Sequence, residues 1–135
     1  MNAFLVDLTN KPGELARVTD AIAQKGINIT SFAGATAGGS GAVVIVTNDE
    51  AGTRRALADT GFMARELELV TASLEHVPGS LAAATKKLAD AGINIEAALP
   101  TGMAGGNVSV SFATDNAAKA REILGVSEPT GIGVG

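Results

Sequence analysis

The segment Ala23–Phe32 reads AQKGINITSF, and 66 residues later Ala89–Ala98 reads ADAGINIEAA. The repeat extends well beyond the shared tetrapeptide. In register and without a gap, Leu8, Pro12, Gly13, Leu15, Ala16, Thr19 and Ala23 match Leu74, Pro78, Gly79, Leu81, Ala82, Thr85 and Ala89. Gly39, Val44, Asp49, Ala51 and Arg55 match Gly105, Val110, Asp115, Ala117 and Arg121 at the same offset. Self-similarity at a fixed period means one supersecondary unit written twice. Whatever one half folds into, the other half folds into as well, with the units expected over 1–66 and 67–135.

Hydrophobic patterning fills in the unit. Ala3–Leu8 is an apolar run that predicts a strand, and Pro12 follows where a helix opens. From Glu14 to Lys25, Leu15, Val18 and Ile22 recur at helical spacing, and Gly26 is the stop. Ile27–Ala33 and Ala42–Thr47 read as strands separated by a glycine-rich solvent loop, GATAGGSG. Asn48 or Asp49 caps a helix that ends at Gly61, and Phe62–Glu66 is a weak fourth strand. The second copy predicts a strand at Leu67–Leu74 and a helix at Ser80–Ala91 carrying Leu81, Ala84 and Leu88 on one face. Strands at Ile93–Leu99 and Val108–Thr114 and a helix at Asn116–Leu124 follow. Its last strand falls in VSEPTGIGVG, where proline and glycine disfavour a sheet interior; it is expected to be short or absent, with a loosely ordered tail beyond Glu128. The order β-α-β-β-α-β is the split βαβ arrangement of ferredoxin-like folds, an α+β class with antiparallel sheets and helices on one face.

Composition removes several function classes. The net charge is −4 and the pI near 4.9, against a nucleic-acid surface, which needs clustered Lys and Arg. No cysteine is present, so disulfides and thiolate metal sites are excluded. MNAFLVDLTN lacks the basic start of a signal peptide, and no apolar run has membrane-spanning length. A cytoplasmic protein is the expectation, with no membrane partner.

VDLTNKPGELARVTDAIAQKGINITSF (Val6–Phe32) resembles an ACT domain, a small amino-acid-binding regulatory module, and LEHVPGSLAAATKKLADAGINIEAA (Leu74–Ala98) resembles a second. The shared marks are a strand, a Pro-Gly turn, a Leu-Ala helix start and Gly-Ile-Asn-Ile at the following strand. The resemblance implies allosteric regulation through a small amino-acid effector bound where units pair. It implies a homodimer, an enzyme of amino-acid metabolism as partner, and neither catalysis nor a cofactor. Carried onto this chain, the ligand contacts are Asn10, Pro12, Gly13, Glu14, Leu15, Asn28 and Ile29, then His76, Pro78, Gly79, Ser80, Leu81, Asn94 and Ile95. Asn10 and His76 depart from the Asp often found before the Pro-Gly of this family.

Each candidate has a plainer reading. The Pro-Gly turns either shape the chain or present unpaired helix amides to a carboxylate. Asn28 and Asn94 either bind ligand or fix the corner after the glycine. His76, the sole histidine, has no nucleophile or ligand set around it in sequence, so it is a turn residue or a hydrogen-bonder to ligand. Ser80 can donate to an anion, whereas Glu14 brings a like charge, so the second unit is the better carboxylate receiver. The competing function is an assembly module whose Pro-Gly turns bind nothing and which pairs with an enzyme subunit.

Overall fold

A computed structural model describes residues 1–127. The elements are β1 (Asn2–Thr9), α1 (Glu14–Ala23), β2 (Ile29–Ala37), β3 (Ser40–Thr47), α2 (Glu50–Thr60) and β4 (Ala64–Glu75). After them come α3 (Ser80–Asp90), β5 (Ile95–Ala104), β6 (Asn107–Thr114) and α4 (Ala117–Leu124). The class is α+β and ferredoxin-like, as the repeat predicts. The chain divides into two compact units, Asn2–Leu67 and the part from Glu68 onward. The tail beyond Glu128 and the doubtful last strand lie outside the described residues.

In the first unit β3 lies between β2 and β1, antiparallel to both. Phe4 faces Ile45 and Val6 faces Val43 across β1 and β3. Val18 and Ile22 of α1 and Leu57 of α2 cover these side chains, so both helices share one face. In the second unit β6 lies between β4 and β5. Val70, Ala72, Val110 and Phe112 meet Ala84 and Leu88 of α3 and Ala120 of α4. Each large aliphatic or aromatic side chain so buried contributes about 1.5–3 kcal/mol.

The core face of α1 differs from the one read in sequence. Its buried stripe is Glu14, Val18 and Ile22, spaced by four, and Leu15 is 44% exposed. Leu81 of α3 is likewise 52% exposed, while Ala84 and Leu88 face the core. Periodicities of three and four both fit a helix, and only the position of the sheet selects between them.

Four further expectations need correcting. GATAGGSG is not a loop: β2 runs to Ala37 and β3 starts at Ser40, leaving Gly38 and Gly39 as the turn. Glycine-rich composition hid the strand, but the cross-strand ladder holds it. The strands expected at Phe62–Glu66 and Leu67–Leu74 are one element, β4, because ARELELV contains no glycine or proline to interrupt it. β2 and β5 start at Ile29 and Ile95, two residues later than read, because Ile27 and Ile93 are core residues of the preceding corner. Finally, the constant offset of 66 fails inside β5. Its register shifts between Pro100 and Gly102, which accommodates one extra residue. From there Val43 corresponds to Val110, Asp49 to Asn116 and Arg54 to Arg121, at an offset of 67.

Polar groups tie the start of the first unit together. Arg54 donates to both carboxylate oxygens of Glu66 at 2.7 and 2.8 Å, and the Asn2 side chain donates to one of them at 2.8 Å. These bonds, Arg54 foremost, hold the Glu66 carboxyl at about 2. A carboxyl lowered on folding stabilises the native state above its unfolded value, and that contribution is lost as pH falls through the lowered one. The window therefore runs from about pH 4.5 down to about pH 2. Over it, the urea midpoint of wild type should converge on that of Glu66→Gln; a constant gap would show that Glu66 does not contribute through its charge.

Candidate functional site

Both Pro-Gly turns have the same geometry. Gly13 precedes α1 with φ 92° and Gly79 precedes α3 with φ 90°. A side chain in this left-handed region costs about 1–2 kcal/mol, so glycine is required at both. Neither helix has a side-chain cap; Glu14 N and Ser80 N donate to the carbonyls of Lys11 and Val77 at 3.5 and 3.4 Å, and the next amides of each first turn have no side-chain acceptor. Gly79→Ala should lower stability by about 1–2 kcal/mol through backbone strain alone, because its Cβ would meet nothing within 4 Å. Denaturant titration measures this, and an unchanged midpoint would refute the strain.

A hollow opens beside each turn. In the first unit it has about 370 Å³ and is lined by Asn10, Lys11, Glu14 and Leu15 with Phe32 and Val43 of the adjoining strands. A neighbouring hollow of about 410 Å³ adds Ala16, Thr19 and Ile29 around the same Leu15 and Phe32. In the second unit a hollow of about 410 Å³ is lined by Glu75, His76, Val77, Ser80 and Leu81, with a floor that includes Val108 and Val110. Position by position the hollows correspond: Asn10 to His76, Lys11 to Val77, Glu14 to Ser80, Leu15 to Leu81.

Their polar chemistry differs. Glu14 is buried, and its carboxylate accepts from Thr9 N at 3.4 Å and from Arg17 Nη1 at 2.8 Å. Arg17, the first cause of its lowered carboxyl, also lies 4.7 Å from the centre of the Phe62 ring. A negative charge thus already sits in the first turn of α1. Asn10 is occupied too, its side chain donating to Gly38 O at 2.8 Å. In the second unit Ser80 replaces the carboxylate and is half-buried, and the exposed His76 is held by its backbone N–H to Gly106 O at 2.8 Å.

Not all the sequence candidates converge. Asn28 is exposed; its N–H donates to Asn48 Oδ1 at 3.0 Å, and its carbonyl accepts from Asn48 N at 3.1 Å. Asn94 makes the same pair of bonds with Asp115. Both asparagines thus fix the corner through their backbone. Asn94 and Ile95 line a separate hollow along α3. Pro12 and Pro78 are exposed and shape the turns. Sequence reading missed Phe32, 62% exposed on β2, and the apolar wall residues Val77 and Val108. An exposed phenylalanine on an edge strand is a usable signal; the others converge only through strand pairing.

The model of the ACT domain family matches residues 3–60. The match to the ACT family thus falls on the first unit. The second unit lies outside the matched ACT residues and repeats their β-α-β-β-α order. Among solved structures, a protein from Bacteroides thetaiotaomicron shares 27% identity at TM-score 0.76, covering 92% of this chain and 85% of that one. The regulatory subunit of aspartate kinase from Thermus thermophilus shares 21% identity at TM-score 0.62, covering 92% and 89%. A structure of aspartokinase alpha and beta subunits shares 20% at TM-score 0.64, covering 91% and 89%. These last two show a common fold. No protein of curated description matches significantly. No helix among the described residues is long and apolar enough to cross a membrane.

Proposed function

We propose that the chain is a non-catalytic regulatory module that binds a small amino acid in its second unit and acts on an enzyme of amino-acid metabolism. The observation that carries this reading is the contrast between the two hollows. Glu14 occupies the first with an internal carboxylate, whereas Ser80 leaves the equivalent position open at a helix start that no side chain caps. An effector carboxylate is received there by Ser80 Oγ and the start of α3. The aspartate kinase regulatory subunit of the same fold supports an enzyme of that metabolism as the partner.

The test is calorimetry on the best amino acid from a thermal-shift screen, since a ligand of the folded state raises the melting point. One site per chain is expected. Ser80→Ala should weaken binding about tenfold, the loss of one hydrogen bond to a charged group. Asn94→Ala, outside this hollow, should change it by less. No binding at millimolar concentration would favour the assembly-module reading, for which exposed Leu15 and Phe32 of the first unit provide an apolar surface. A homodimer covering these side chains is part of the proposal, and light scattering at micromolar concentration checks it.

A further inference from the structure

The effector's side-chain class is written in the second hollow. Three polar residues line it, Glu75, His76 and Ser80, and all belong to the end of β4 or the Pro-Gly turn region. Ser80 and His76 offer hydrogen-bonding side chains to the ammonium and carboxylate common to every amino acid. The remaining lining is aliphatic: Val110, 9% exposed, forms the floor with Leu74 and Val108 from the same sheet face, and Val77 and Leu81 flank the mouth. None of these can pair with a charge or satisfy a polar side chain, and a buried group left unpaired opposes binding strongly. The volume of about 410 Å³ exceeds what an amino acid without a side chain would fill.

We infer that the second unit selects an amino acid with an uncharged, branched aliphatic side chain, which lies on the Val108–Val110 floor while Ser80 and His76 hold its polar head. This rests on the sensing role proposed above and adds the ligand's class. Each methylene moved from water onto such a surface is worth about fourfold in affinity.

Calorimetry of the full chain with leucine, glycine, lysine and aspartate tests it. Leucine should bind at least tenfold more tightly than glycine, and lysine and aspartate more weakly than leucine. Leu81→Glu and Val77→Glu change exposed positions, 52% and 53%, so the fold should persist, as the unfolding midpoint checks. Each should weaken leucine about tenfold and narrow its lead over lysine. Lysine or aspartate binding more tightly than leucine to wild type, with Ser80→Ala still weakening it, would overturn the class and leave sensing intact. Leucine binding unaffected by either glutamate variant would overturn the placement of its side chain. Absence of binding by any of the four would overturn this inference together with the sensing role.

Discussion

Phe112→Ala should lower the unfolding free energy by about 3–5 kcal/mol, the largest single effect expected in this chain. Phe112 is wholly buried on β6, against Val70, Leu88 and Ile93. Truncation removes the transfer free energy of the ring and leaves a void that two helices and a sheet cannot close. Urea denaturation with matched m-values measures the change. A loss below about 1 kcal/mol would mean that the second core collapses around the gap.

Gly52→Ala should cost about 1–3 kcal/mol, although alanine is the better helix former. A Cβ at Gly52 would lie 2.4 Å from Asp49 Oδ2 and 2.8 Å from Ile27 Cδ1. Asp49 is the N-cap of α2 and accepts from Gly52 N at 2.9 Å. The added methyl therefore presses on the cap, worth roughly 1 kcal/mol, and on a core isoleucine together. The equivalent residue of the second unit is Lys119, whose N–H donates to the cap Asn116 at 3.1 Å. The cap alone does not demand glycine; the close approach of Ile27 does. A stabilised Gly52→Ala, read from its melting midpoint, would show that propensity outweighs the contact.

The duplication, the class of every major element and the αL glycines at the helix ends were legible in the order of residues. Those features depend on neighbours within a few positions: Pro12–Gly13 and Pro78–Gly79 open helices, and Gly26 and Gly92 close the corners, at φ 72° and 76°. Tertiary structure decided what depends on partners far along the chain. Whether Leu15 or Glu14 faces inward is set by where the sheet lies, since both satisfy a helical period. The ladder with β3 makes a strand of glycine-rich β2, and the register shift at Pro100–Gly102 moves the repeat from an offset of 66 to 67. The candidate site divides the same way. Ser80 and His76 stand out beside the second turn, but the aliphatic wall of Leu74, Val108 and Val110 is assembled by pairing β4 with β6, across a separation that local pattern does not encode.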